Sequence, residues 1–292
     1  MNIRLLNAQD VRKLEEYLAP HQAECMFICS NLRTAGIEYK NADYEGEYFG
    51  CFANHNVKPQ ELLGVIVHYW NDNIMMHASN HTILEQLTWH LKNNTKRPVA
   101  AVLGSNNQAE HVIKNLGLAD AYFNTNRNEG LYEINLAALK NLSIPSNCEV
   151  IAAQDLPKSV LMQWMKNYNV EALGASNDDA LEKHVEENWT RRLQQNDSWI
   201  LLSEGVPVSL SAFNARIEEM VQVGPVWTPF EYRNNGYARL LLAYTLHQEK
   251  LIGTKKAILF TENQPAIKAY LAIGFKKIGN YRLALLEKPI KL

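Results

Sequence analysis

Cysteine is scarce in this chain: Cys25, Cys29, Cys51 and Cys148 are the four in 292 residues. Cys25 and Cys29 stand four apart in a segment expected to be helical, and no second pair follows at a zinc-ribbon spacing. Buried free thiols are therefore expected. The nine histidines are scattered. His77 and His81 are four apart, but strand residues precede them and helix residues follow, so no metal is expected there. A surplus of either charge is also missing. With 29 Lys and Arg against 31 Asp and Glu the net charge is −2, which argues against a nucleic-acid partner. No segment approaches the ~20 apolar residues needed to span a bilayer, so no membrane partner is expected. Met1–Leu6 lacks the apolar core of a signal peptide, so a cytoplasmic location is expected. What is present, 47% hydrophobic and 21% charged residues, describes a globular protein with one large domain or two small ones.

The most informative stretch is Val221–Leu242. Val221, Val223 and Val226 favour a strand. Pro225 and Pro229 interrupt its end. Arg233-Asn-Asn-Gly-Tyr-Ala238 then opens a helix expected to run to about Lys250. A helix start carries N–H groups without internal partners and a partial positive charge. Gly236 and Ala238 leave room for a phosphate to approach that backbone. An ordinary strand–turn–helix also fits this stretch alone. Downstream, Lys256–Thr261 is a short apolar strand, Asn263 follows, and Pro265 stands near a helix start. Tyr270 lies on that helix, Gly274 ends it, and Tyr281–Leu286 is a last strand. In order and spacing, Arg233, Gly236, Ala238, Asn263, Tyr270, Gly274 and Phe275 resemble the acetyl-CoA-dependent N-acetyltransferase (GNAT) superfamily. The resemblance covers residues 200–287.

The rest of the chain reads as two similar halves. In the first, helices are expected over Asp10–Ala19 and His21–Ala35, with strands at Tyr48–Phe52, Leu63–Trp70 and Asn73–Ala78. Helix Thr82–Asn93, strand Val99–Leu103, helix Gln108–Leu116 and strand Leu131–Leu136 follow. The second repeats the order with helices Ala153–Tyr168 and Asp178–Gln195, a hairpin from Trp199–Ser203 to Pro207–Phe213, and strand Met220–Trp227. Asn141–Cys148 reads as a linker. An internal duplication of a unit of ~140 residues is inferred, within the usual domain size. The expected domains are 1–142 and 149–292. With Gly117 matched to Gly274, Asn106 matches Asn263 while Ile113 replaces Tyr270. The first half has no Arg-x-x-Gly-x-Ala loop, so it looks like a degenerate copy that has lost coenzyme binding.

The resemblance implies a chemistry. Backbone N–H groups at Val226, Trp227 and Thr228 would hold the pantetheine arm and the thioester oxygen of acetyl-CoA. Asn234, Asn235, Gly236, Tyr237 and Ala238 would receive the pyrophosphate, with Arg233 before them and Arg239 adding charge. Asn263 would touch the coenzyme; helix capping is its other reading. Tyr270 would protonate the departing thiolate, a phenol of pKa about 10 being protonated at neutral pH; its other reading is a core aromatic. Glu218 and Glu219 are the candidates for a base. Glu219 is preferred on strand parity, against two solvated carboxylates. Glu171 could hold a cationic amine; decoration of a polar face is its other reading.

The expected fold is α/β (α+β): two tandem GNAT-like domains, each a mixed, mostly antiparallel central sheet flanked by helices. The expected activity is acetyl transfer from acetyl-CoA to a small-molecule or peptide amine, by direct attack in a ternary complex. No cysteine adjoins the motif to form an acyl-enzyme. No metal is expected, and a homodimer is left open. An acyltransferase using another acyl-CoA, like the glycine N-acyltransferases, and a non-catalytic acyl-CoA sensor are the alternatives.

Overall fold

β-branched and aromatic runs become strands, and each apolar stripe at helical spacing packs onto one of them. The computed structural model describes residues 1–53, 61–140 and 143–292. The chain forms two compact units, residues 1–130 with 279–292, and residues 131–278.

The first unit holds β1 (Asn2–Leu5), α1 (Val11–Leu18), α2 (Met26–Ala35), β2 (Gly46–Phe52), β3 (Leu62–Tyr69), β4 (Asn73–Ala78), α3 (His81–Asn94), β5 (Val99–Ser105) and α4 (Asn106–Leu116). Strands β1 to β4 run antiparallel in sequence order, and β5 lies parallel to β4. Ile74, Met76 and Ala78 of β4 and Val102 of β5 meet Ile83, Leu84 and Leu87 of α3 and Val112 and Leu116 of α4 in one buried cluster.

The second unit repeats the plan. It contains β7 (Cys148–Ala152), α5 (Lys158–Leu173), α6 (Asp179–Leu193), β8 (Ser198–Ser203), β9 (Val206–Ile217), β10 (Met220–Trp227), α7 (Tyr237–Leu251), β11 (Lys256–Thr261) and α8 (Gln264–Ile273). Strands β7 to β10 are antiparallel neighbours, and β10 lies parallel to β11. Leu242 and Leu246 of α7 and Ile273 of α8 pack on Phe213, Val221 and Val223 on one face. Leu161, Trp164, Val185 and Trp189 of α5 and α6 pack on Ile200, Leu210 and Trp227 on the other. Each unit is thus a mixed, mostly antiparallel sheet flanked by helices.

The units differ from the expected division at 1–142 and 149–292. Two long strands cross it: β6 (Phe123–Asn135) and β12 (Lys276–Ile290). The end of β6 lies beside β11, with Tyr132 and Ile134 in the second unit's core. β12 pairs with β5, from Tyr281 opposite Ser105 to Leu285 opposite Ala101, with Ala284 and Leu286 in the first unit's core. The closing strands of the two halves are exchanged. Period-two alternation dictates which face of a strand is buried, and it leaves the partner edge unspecified. Two further boundaries move. α2 begins at Met26 rather than His21, and α5 runs Lys158–Leu173 rather than Ala153–Tyr168. Of the expected linker, residues 141 and 142 lie outside the described residues, and Cys148 already belongs to β7. Cys25, Cys29 and Cys51 are buried free thiols.

Candidate active site

β10 and β11 run together for only three residue pairs: Met220–Lys256, Val221–Ala257 and Gln222–Ile258. Beyond them β10 bulges away. Its register with β9 shifts after Gln222 and again after Val223, then resumes with Val226 opposite Ser211 and Trp227 opposite Leu210. A bulge bends its strand and leaves part of the ladder unmade. Gly224, at φ +157°, and Pro225 occupy the bend. A Cβ on Gly224 would lie 2.6 Å from the Asn214 amide nitrogen. Past Gln222, then, the edge of β10 that faced β11 has no strand on it.

The loop after β10 is braced by its own side chains. The Thr228 hydroxyl lies 2.9 Å from that of Ser209. Arg233 Nε donates to the Thr228 carbonyl at 3.0 Å. Both terminal nitrogens of Arg233 meet the Glu171 carboxylate at 2.9 Å. The same guanidinium stands 5.0 Å from the Trp227 ring and 5.7 Å from Phe230. Asn235 Nδ2 donates to the carbonyls of Tyr232 and Arg233. Asn234 at φ +65° and Gly236 at φ +80° turn the chain into α7. The turn leaves the first turn of α7 without a side-chain cap. A Cβ on Gly236 would meet only the Arg239 guanidinium, at 3.6 Å. The Tyr237 hydroxyl is 3.3 Å from Ser203, so its ring leans toward β8. Ala238 adds no bulk to this first turn, and Arg239 places a cation on it.

On the other side of the split, Asn263 caps α8. Its Oδ1 accepts from Ala266 N at 3.0 Å, and its own N–H donates to the Thr261 hydroxyl at 3.1 Å. Tyr270 is 7% exposed and packs 6.0 Å from Phe275. Its hydroxyl makes no hydrogen bond among the described residues. Burial pushes the phenol's pKa up, and Tyr168 adds to the effect; Tyr270 thus stays protonated at neutral pH. Tyr168 in turn stands edge-on to Trp227, at 6.3 Å. Tyr168 of α5, Trp227 of β10 and Tyr270 of α8 therefore link three elements around one place.

Glu219 belongs elsewhere. With Glu218 it forms the turn between β9 and β10, five residues before Gly224, or about 16 Å along an extended strand. Its carboxylate pairs with Lys255 and is half exposed. Parity predicted a cleft-facing carboxylate, whereas strand β10 begins only after this pair. Glu219→Gln is accordingly expected to leave kcat/KM within about twofold, measured by thiol release. Glu171, read as either a partner for a cationic amine or decoration of a polar face, braces Arg233.

Two residues went unread in the sequence. Arg192 of α6 donates to the carbonyls of Phe213 (3.1 Å) and Gly224 (3.2 Å) and to Asn214 Oδ1 (2.5 Å), tying the helix to the bulge. Gln222 is 3% exposed at the apex of the split. Its Nε2 donates to the Val223 carbonyl at 2.8 Å, and its Oε1 has no partner among the described residues. Neither carries a motif; only the bulge, which spacing does not disclose, makes them visible.

Residues 160–275 match the family model described as the acetyltransferase (GNAT) family. The second unit carries a GNAT domain. Solved structures agree on the fold. A GNAT-family acetyltransferase from Colwellia psychrerythraea is 14% identical, with a TM-score of 0.52 over 98% of this chain and 100% of that one. A Drosophila protein is 12% identical, with a TM-score of 0.69 over 97% and 98%. A tandem GNAT protein from the clavulanic acid biosynthesis pathway is 9% identical, with a TM-score of 0.53 over 97% of each chain. No curated protein matches the chain. The match lies within the second unit and supports acyl-CoA-dependent acetyl transfer at the level of the family. Among the described residues no helix is long and apolar enough to cross a membrane, and no group of three metal-ligating side chains is assembled.

Proposed function

We propose that the second unit binds acetyl-CoA in the β10–β11 split and acetylates an amine by direct attack. The observation that carries this reading is the split itself: an unpaired strand edge leading into the open N-terminus of α7. The edge at Val226, Trp227 and Thr228 supplies main-chain groups for the amides of a pantetheine arm. The backbone of Asn234 to Arg239 supplies N–H groups and helix-dipole charge for a pyrophosphate. Arg233 acts by bracing this loop through Glu171 and the Thr228 carbonyl. The Nδ2 of Asn263, unbonded among the described residues, remains for the coenzyme while Oδ1 caps the helix.

The coenzyme brings an acetyl thioester. A neutral amine attacks its carbonyl carbon, the new C–N bond forms, and the C–S bond breaks. Tyr270 gives its proton to the departing sulfur, and the proton lost by the amine passes to water. Glu219 has no part in this scheme. Preorganised main-chain donors suit the developing oxyanion because the strand holds them rigid.

A panel of primary amines with acetyl-CoA, followed by thiol release, tests the reading. Turnover on at least one amine, with one acetyl group transferred per thiol released, is expected. Tight coenzyme binding with no turnover on any amine would instead support the acyl-CoA sensor. Faster turnover with a longer acyl-CoA would move the assignment to another acyl donor.

A further inference from the structure

The first unit contains the same split, and it is filled from within. β4 and β5 pair at Asn73–Ala101, Ile74–Val102 and Met75–Leu103 and then part. This is the pattern of β10 and β11, again three pairs long. β4 runs on beside β3 as far as Ala78, opposite Gly64. Ala78 nevertheless has a partner on its β5 side. Gln108 Oε1 accepts from Ala78 N at 2.8 Å, and Gln108 Nε2 donates to the Ala78 carbonyl at 3.1 Å. One side-chain amide thus makes both bonds that a neighbouring strand would make. Below it, Met76 fills the gap so closely that a Cβ on Gly104 would lie 2.9 Å from its sulfur.

The helix start is closed as well. Asn80 Oδ1 accepts from Ile83 N at 3.0 Å and caps α3, whereas α7 has no side-chain cap. Gln108 is the third residue of α4, which follows β5. With Gly117 matched to Gly274 and Asn106 to Asn263, the counterpart of Gln108 in α8, which follows β11, is Pro265. Proline there has no amide to send across, and the second split stays open.

We infer that Gln108 is a built-in stand-in for the amide of a pantetheine arm, sealing in the first unit the site that the second unit keeps open. This rests on the acyl-CoA reading of the second split. It makes the first unit a closed copy of the site and limits the chain to one coenzyme. Removing the carboxamide should free the N–H and carbonyl of Ala78 for an external amide.

The test uses the full-length chain with Gly236→Trp, which blocks the second unit's helix start, and compares Gln108 with Gln108→Ala and Gln108→Asn on that background. The probe is pantetheine, which has amides and no pyrophosphate. At least tenfold tighter binding when Gln108 is replaced is expected, since asparagine is one methylene too short to reach Ala78. Equal binding with Gln108 present overturns the inference, as does no binding to folded variants. Failure of both variants to fold would make Gln108 a folding residue and also overturn it. The β10 edge is the same in all three variants, so any pantetheine held there contributes equally to each, and these outcomes do not depend on whether acetyl-CoA binds there. The reciprocal change, Pro265→Gln, should weaken acetyl-CoA binding at least tenfold in the otherwise unaltered chain; unchanged affinity would count against the plug.

Discussion

Tyr270→Phe is expected to lower kcat by roughly 10²- to 10³-fold, the range of a lost general acid, with acetyl-CoA affinity changed less than about threefold. The hydroxyl makes no hydrogen bond among the described residues, so its removal strands no partner. The folding cost should stay below about 1 kcal/mol. The sign of the pH dependence follows from burial, which raises the phenol's pKa. An acid must be protonated to act, and a raised pKa keeps it so beyond the ordinary value of about 10. The wild-type kcat should therefore show no loss attributable to this group up to about pH 10. Any stability that the raised pKa contributes is present below that value and lost above it. Steady-state kinetics from pH 7 to 10, beside calorimetric coenzyme titrations, check both points. A Tyr270→Phe enzyme with normal kcat would leave Tyr270 as a core aromatic.

Arg216→Met is expected to cost about 3 kcal/mol of stability, through a different mechanism. Glu249 of α7 is 3% exposed. Its carboxylate meets the Arg216 guanidinium at 2.6 and 2.9 Å and the Thr254 hydroxyl at 2.7 Å. Arg216 also reaches Asp197 at 2.7 Å. Removing one partner of a buried pair leaves an uncompensated charge, which is the expensive case. The double variant with Glu249→Gln should recover about half of the loss, because the glutamine carries no charge. Urea unfolding of the single and double variants measures this coupling. Additive losses would show that the pair does not act as a unit.

The sequence made the loop before α7 legible because its signals are local. Arg233, Gly236 and Ala238 stand at a strand-to-helix junction that propensity and glycine chemistry reveal without tertiary information. The structure places them there, on a loop braced by Arg233 itself. Asn263 reads in the sequence as a cap or as a contact, and the structure shows the capping bond, from Ala266 N. Glu219 shows where locality ends. Parity with Val221 assumes a strand at Glu219, but a turn holds it, and Lys255 pairs with it there. The strand exchange was illegible for the same reason. Alternating apolar residues in Tyr281–Leu286 mark a buried face, and nothing in them selects β5 as neighbour. Gln108 was hidden most completely. A glutamine in the first turn of a helix is ordinary, and its meaning comes only from the unpaired edge at Ala78.

The central claim is that the second unit, and only that unit, takes acetyl-CoA. Calorimetric titration of the full-length protein with acetyl-CoA, repeated on Gly236→Trp, tests it most directly. An indole at residue 236 would fill the space before α7, where glycine now leaves the backbone open. The account predicts one site per chain in the unaltered protein and at least a hundredfold weaker binding in the variant. Two sites, or undiminished binding to a folded Gly236→Trp, would contradict it.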